Sequence, residues 1–368
     1  MKKISWITPT CYVDVDLPII NKLRFTYEIY WIVILESNSG KDTIDYINKC
    51  LKNNKSINIV FLWQKHRLRS LKNLTFIRSY INLALSKKPD IIYISEYAQP
   101  YGIFLYSFLL PINKTVAACH NVSTPEGATK EKFARFYTNI WLKLFKNIQT
   151  FSESQKKVLL KKYNNKNILM ANLALKDYGP ALAPKKNSGI IRFLSFGNIV
   201  RYKRIDLVIK AANILYERGI KNFKIIIAGK CNNWNNEYLP LIKYPEHFEL
   251  QIERIPNENI SELFSSSDYF VLPYQDIAQS GAITVAFRYN VPVICSDIEP
   301  FKEFVEDHIN GFTFHSKDEI SLADTMQEII INHNNIYDKI CKNQKLFVEQ
   351  NFSIESITNK YVDFFNNL

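Results

Sequence analysis

What most constrains the fold of this chain is a rhythm. Short apolar runs alternate with longer amphipathic stretches, the pattern breaks once, and it then starts again. In the first half the apolar runs are Ile4–Thr8, Ile29–Leu35, Ile57–Leu62, Ile91–Ser95, Thr115–Cys119, Ile148–Phe151 and Ile168–Ala171. Between them, stretches such as Leu71–Ser86 and Lys130–Lys146 carry apolar residues at helical spacing. Strand and helix in alternation predict a parallel sheet covered on both faces. The segment Tyr178–Gly189, rich in Pro, Gly and polar residues, reads as an interdomain linker. Strands are then expected at Ile191–Phe196, Phe223–Ala228, Tyr269–Pro273 and Val291–Cys295, with helices at Ile205–Glu217, Glu258–Ser266, Ser280–Tyr289 and from Ser316 onward. The expected architecture is α/β: two Rossmann-like, doubly wound domains facing a central cleft, with ligands at the C-terminal ends of the strands. The expected boundaries are 1–180 and 190–350, followed by a helix over 351–368 that packs back toward the first domain.

A chain of 368 residues is longer than one core usually grows, in keeping with two domains. Glycine, at only 10 residues, excludes more than it suggests: no G-x-G-x-x-G and no G-x-x-x-x-G-K-[ST] occurs, so the dinucleotide fingerprint and the P-loop are both absent. The six cysteines are scattered without a C-x-x-C pair, which points to reduced thiols in a cytosolic protein. No apolar stretch is long enough to span a bilayer, and the N-terminus begins like a strand rather than a signal peptide. The net charge of +12 calls for an anionic partner: nucleic acid, a phosphorylated ligand or an acidic membrane surface.

Two segments carry the chemistry. In Leu272-Pro-Tyr-Gln-Asp-Ile-Ala-Gln-Ser-Gly281, a buried strand runs through a polar loop into a helix that begins near Ser280 and Gly281. Unpaired amides at such a start favour a phosphate, and glycine lets it approach; an ordinary connection capped by Ser280 is the alternative. In Phe196-Gly-Asn-Ile-Val-Arg-Tyr-Lys-Arg204, a strand delivers Arg201, Lys203 and Arg204 to the first turn of a helix. Cations there oppose the macrodipole, so either a pyrophosphate balances them or they form a solvated basic loop. Both segments are expected at the same edge of one sheet.

Taken together, Phe196-Gly-Asn-Ile-Val-Arg-Tyr-Lys203, Ser267-Asp-Tyr-Phe-Val-Leu-Pro-Tyr274, Ala278-Gln-Ser-Gly281, Val291-Pro-Val-Ile-Cys-Ser-Asp297 and Glu303-Phe-Val-Glu-Asp-His-Ile-Asn-Gly-Phe-Thr313 resemble the C-terminal domain of family 4 glycosyltransferases, enzymes of GT-B fold. The likeness is weaker in the first half, in Cys119-His120-Asn121 and Thr150-Phe-Ser-Glu-Ser154. The resemblance implies that Lys203 contacts the donor diphosphate with Arg201 assisting, and that the amides of Ser280 and Gly281 bind phosphate. It implies that His120 lies near the transferred sugar. Asn198 stands where many members have an arginine. Many members also carry two glutamates spaced E-x7-E; Ile277 and Val285 occupy those positions here, as in the branch with a Gln-Ser-Gly loop, and Asp276 or Gln279 is the substitute for the sugar contact.

Asp14 and Asp16 form a D-x-D, which is assigned no metal; no cofactor is expected. The aromatic and basic stretch Lys130–Lys146, and the cluster Lys65, His66, Arg67, Arg69 and Lys72, suit either an anionic membrane surface or solvent. The resemblance thus implies a metal-independent, retaining hexosyltransferase that uses a UDP- or GDP-sugar. The implied acceptor is a lipid-diphosphate-linked glycan of bacterial surface polysaccharide (O-antigen or capsule), at the cytoplasmic face of the membrane. The competing readings are a nucleotide-sugar 2-epimerase, for which no carboxylate pair is evident, and a non-catalytic protein that binds an anionic ligand. No nucleic-acid recognition motif is present.

Overall fold

The computed structural model describes residues 1–36, 40–51, 57–66, 70–95, 102–124, 131–181, 189–278 and 280–368. The chain divides into two compact units: one of Met1–Thr124, Lys130–Ala174 and Asn351–Leu368, the other built on Leu175–Gln350.

In the first unit the strands are β1 (Lys3–Pro9), β2 (Glu28–Glu36), β3 (Asn58–Gln64), β4 (Ile91–Ile94), β5 (Thr115–Ala118), β6 (Asn147–Thr150) and β7 (Asn167–Met170). Helices α1 (Val13–Leu23), α2 (Gly40–Leu51), α3 (Lys72–Ser86), α4 (Gly102–Leu109), α5 (Glu131–Leu144) and α6 (Glu153–Lys162) connect them. The sheet is parallel, in the order β3-β2-β1-β4-β5-β6-β7. Strands buried on both faces have no reason to alternate in polarity, and Trp31–Leu35 of β2 is an unbroken buried apolar run.

The second unit repeats the plan with β8 (Ile191–Phe196), β9 (Phe223–Ala228), β10 (Phe248–Gln251), β11 (Tyr269–Leu272), β12 (Val293–Ser296) and β13 (Gly311–Phe314), parallel in the order β10-β9-β8-β11-β12-β13. Its helices are α7 (Ile205–Glu217), α8 (Trp234–Glu237), α9 (Asn257–Ser265), α10 (Gly281–Arg288), α11 (Glu299–Lys302) and the long α12 (Glu319–Phe352). The chain re-enters the first unit at Asn351, where α13 (Ile354–Asn366) packs on α1 and β7. Ile357, Tyr361 and Phe365 of α13 share one core with Trp6, Ile20 and Trp31. Helices α3 to α6 cover the opposite face of the same sheet through Ile77, Tyr106, Trp141 and Leu159.

The division between the units falls at Ala174 and Leu175, ahead of the linker read from composition. Residues 175–181 are held to the second unit: the Tyr289 hydroxyl donates to the Gly179 carbonyl at 3.0 Å and accepts from the Tyr178 amide at 3.0 Å, while Asp177 pairs with Arg288 at 2.6 Å. Residues 182–188 of the expected linker lie outside the described residues.

Strand order reverses between β1 and β4 in one sheet and between β8 and β11 in the other. Neighbouring loops diverge at such points and leave a crevice beyond the strand ends. In the first unit, Asp16 closes part of that crevice. Its buried Oδ2 accepts from Trp6 Nε1 at 3.0 Å, from Thr8 Oγ1 at 2.6 Å and from Ser95 Oγ, joining α1 to the ends of β1 and β4. The D-x-D therefore spends its second carboxylate on the fold.

Burial outweighs these three donors and pushes the Asp16 carboxyl up to about 6 from 3.8. A folded-state value above the unfolded one means that the native protein holds this proton more tightly between the two. The resulting stability is complete below about pH 4 and is lost as pH rises through about 6. Wild-type stability relative to Asp16→Asn, which cannot titrate, should fall by on the order of 1 kcal/mol between about pH 5 and pH 8. Urea unfolding of both proteins at those two pH values measures it, and a pH-independent difference would refute the assignment.

Candidate functional site

The second switch point is built by backbone proximity. After β8 the chain turns at Gly197, whose φ of +106° suits glycine. A Cβ on Gly229, just after β9, would lie 2.1 Å from the Gly197 carbonyl oxygen, so the two loops touch main chain to main chain. The Gly197 amide donates to Ala228 O and the Ile199 amide to Lys230 O, both at 2.9 Å. Across the reversal, the Gln275 amide beyond β11 donates to Tyr202 O at 2.9 Å.

This frame sorts the three cations that the sequence places together. Arg204, in a left-handed backbone position (φ 49°), forks onto Asp206 at 2.9 and 2.8 Å. Arg201 is exposed and pairs with Glu237 at 3.1 Å, which also accepts from Asn233 at 2.9 Å. Lys203 alone has neither carboxylate nor hydrogen-bond acceptor among the described residues. Its Nζ sits 5.4 Å from the centroid of the Tyr274 ring and 3.0 Å from where a Gly197 Cβ would be. Burial pulls its ammonium below the usual lysine range, against a smaller opposing effect of Tyr202. A ring face returns about 2 kcal/mol to a desolvated cation, less than the several kcal/mol that burying the ion costs. The difference is what a bound anion would supply.

Tyr274 carries the same site to α10. It is buried, and its hydroxyl is hydrogen-bonded to Ser280. Ser280 Oγ also accepts from the Ile283 amide at 3.4 Å, capping α10 and leaving its first amides for a ligand. The N-terminus of α10 therefore sits one residue away from Lys203, through Tyr274. A Cβ on Gly281 would lie 3.6 Å from Lys176 Nζ, so a second lysine stands against the same helix start. A cation at a helix start opposes the helix dipole. Lys176 and Tyr274 were not singled out from sequence. Lys176 precedes the expected linker without a motif, and its position follows from the Tyr289 contacts described above.

Asn198 is exposed and, with Arg201, Lys230, Asn233, Glu237 and Tyr238, lines a cavity of about 450 Å³ beyond β8 and β9. Asp276 is half-buried in the β11–α10 loop, and Gln279 lies outside the described residues. Ile277 and Val285 are 7% and 1% exposed, so the positions of the missing glutamates belong to the apolar interior.

In the first unit His120 follows β5 and is 6% exposed. Its imidazole is clamped between Tyr12 (3.9 Å between centroids, 3° between planes) and Phe151 (4.3 Å, 15°). Just beyond it, Ser123, Thr124, Arg135, Asn139 and Lys162 line a cavity of about 280 Å³. Gln155 shapes this turn by accepting from the Val122 and Ser123 amides at 2.9 and 3.3 Å. All six cysteines are free thiols. Among the described residues no three His, Cys, Asp or Glu side chains cluster as metal ligands would.

Residues 183–347, which lie in the second unit, match the protein family described as Glycosyl transferases group 1. A sequence comparison with curated proteins finds no match. Among solved structures, the chain is similar to a glycosyltransferase from Rickettsia africae ESF-5 (TM-score 0.74, 16% identity, covering 100% of this chain and 98% of that one). It is also similar to Anabaena HepE in complex with UDP and glucose (TM-score 0.73, 13% identity, 100% of both chains). Sucrose-phosphate synthase from Thermosynechococcus elongatus gives a TM-score of 0.71 at 13% identity, covering 100% of this chain and 99% of that one. The fold is thus GT-B: two Rossmann-like domains, each on a parallel sheet.

Gly197→Ala should disturb the site at its base. The substitution strains a backbone at φ +106° and sets a methyl group against the Lys203 ammonium. It should cost about 1 kcal/mol or more in stability. Calorimetric affinity for inorganic diphosphate should fall at least tenfold, and unchanged affinity would separate Lys203 from anion binding.

Proposed function

We propose that this protein is a glycosyltransferase that binds the diphosphate of a nucleotide sugar at Lys203 and the start of α10. The observation that carries the reading is that Lys203 is the one cation of its loop left without a counter-ion among the described residues, while Arg201 and Arg204 are paired. A leaving nucleoside diphosphate gains negative charge as the bond to the anomeric carbon breaks and the acceptor oxygen bonds in its place. Preorganised positive charge at that position is often the largest single contribution to such a reaction. Lys203 supplies a partly desolvated ammonium, the first amides of α10 supply aligned dipoles, and Lys176 adds a second charge. Arg201 joins them only by leaving Glu237.

The donor is a UDP-sugar in preference to a GDP-sugar, by likeness to HepE, whose structures hold UDP, UDP and glucose, or UDP-glucose. The first unit takes the acceptor. There His120 is clamped between two rings, and the Arg135–Lys162 cavity just beyond it offers room and charge for an acceptor phosphate. That chemistry suits a lipid-diphosphate-linked glycan, with retention at the anomeric carbon, in assembly of bacterial surface polysaccharide at the inner face of the membrane. No helix among the described residues is long and apolar enough to cross a membrane, so the reading places the protein peripherally.

Lys203→Ala should lower the rate of sugar transfer at least a hundredfold, about 3 kcal/mol, with an unchanged melting temperature. Near-normal turnover in the folded variant would overturn the donor site; UDP binding without transfer by the wild type would leave a binding protein. Because lysines and helix amides neutralise the leaving group in this reading, transfer should persist in EDTA. Strict dependence on added Mg²⁺ or Mn²⁺ would show that they do not.

A further inference from the structure

Helix α4 is apolar almost all round: Gly102-Ile-Phe-Leu-Tyr-Ser-Phe-Leu109 contains no charged side chain. A helix of that composition is ordinarily buried on every side. This one is not. Ile103 and Tyr106 turn into the core, where Tyr106 meets the edge of Trp141 of α5 at 5.7 Å, but Phe104 is 65% and Phe108 84% exposed. These two are one turn apart and share the outer face. The neighbouring α5 repeats the arrangement, with Thr138, Trp141 and Leu142 inward and Phe133 and Phe136 exposed by 46% and 60%. Four exposed phenylalanines on two touching helices exceed the single apolar residues that a soluble surface normally scatters.

The charge around them has one sign. Helices α3, α4 and α5 lie side by side on one face of the sheet, and their exposed cations are Lys72, Arg78, Lys132, Arg135 and Lys143. Glu131 is the single carboxylate on the three helices, and Arg135 engages it at 2.6 Å. Phenylalanine set among lysine and arginine on helices that lie flat is the composition that enters a bilayer interface.

We propose that the α3–α4–α5 face docks on an anionic phospholipid bilayer, with Phe104, Phe108, Phe133 and Phe136 entering the interface and the lysines and arginines meeting the headgroup phosphates. A second copy of the chain is disfavoured, because a two-fold contact would set this cationic face against itself. Single-stranded nucleic acid is disfavoured because it binds in a charged groove with bases stacked on aromatic rings. Here the phenylalanines project from convex helices, with Leu105 and Leu109 of α4 beside them. The proposal deepens the membrane-side acceptor reading above, yet rests on none of the donor-site residues.

The test is co-sedimentation of the full chain with phosphatidylcholine vesicles, with and without phosphatidylglycerol. The wild type should bind only the anionic vesicles, and less as salt rises. Phe104→Ser with Phe108→Ser should cut partitioning at least tenfold at moderate salt. Because both rings are exposed, the melting temperature should stay unchanged and transfer to a short soluble acceptor should match the wild type. Lys132→Gln with Lys143→Gln should instead weaken the binding at low salt, a second route that does not depend on the first variant folding. Wild-type protein left in the supernatant at low salt, or equal binding by both variants and the wild type, overturns the proposal. So does a dimer that dissociates on Phe104→Ser with Phe108→Ser, or tighter binding to an oligonucleotide than to vesicles. Vesicle binding without sugar transfer by the wild type would sink the transferase reading and leave the docking face standing.

Discussion

The contact on which the second unit depends is between two stretches of backbone. The carbonyl of Gly197 occupies the space that any side chain on Gly229 would need, and Gly197 itself adopts a conformation that L-residues rarely tolerate. Neither glycine belongs to a nucleotide-binding fingerprint. Their shared effect is to draw the loops beyond β8 and β9 together and to turn Val200–Arg204 toward the loop that follows β11. Everything that gives Lys203 its environment follows from that turn: the Tyr274 ring beneath it, the Gln275 bond to Tyr202, and the close approach of its ammonium to Gly197.

The energetic character of the site comes from unequal pairing. An arginine that forks onto a carboxylate two residues away, as Arg204 does onto Asp206, acts as a local clasp. An exposed ion pair such as Arg201–Glu237 contributes little. A partly buried ammonium resting on a ring is the less stable arrangement of the three, and it is placed beside a capped helix start and a second lysine. Local instability of this kind is common where a ligand completes the electrostatics. The first unit handles its switch point differently. There Asp16 fills the crevice with an internal carboxylate that gathers three donors, so the equivalent place is part of the fold, and the polar cavity moves to the loop after His120.

The positive charge is likewise divided by structure into parts with separate reasons. Part of it lies in the loop after β8, at Arg201, Lys203 and Arg204. Part lies on α3 and α5, around the exposed rings of α4, where almost no carboxylate opposes it. A net charge alone could not separate these, because it sums over the whole chain.

The amino-acid order by itself determined the class of the fold, because the evidence for a parallel sheet is local: an apolar run, a helical period, then another run. It also placed Arg201, Lys203 and Arg204 together beyond a strand end, and the helix start at Ser280 and Gly281. It did not reveal α1, where Val13-Asp-Val-Asp-Leu-Pro18 alternates like a strand and contains a proline. That segment is a helix because Leu17 and Ile20 join the core that α13 closes from the far end of the chain. The strands β10 and β13 were not legible either, because Phe248-Glu-Leu-Gln251 and Gly311-Phe-Thr-Phe314 are not continuous apolar runs; pairing beside β9 and β12 decides them. Nor could sequence tell which cation of three stays unpaired among the described residues, because Glu237 reaches Arg201 from the end of α8. Lys176 came to α10 through the grip of Tyr289 on Tyr178 and Gly179, and the outer rings of α4 became visible only once Tyr106 had turned inward. Periodicity is set by neighbours along the chain; charge pairing and exposure are set by residues that only the fold makes neighbours.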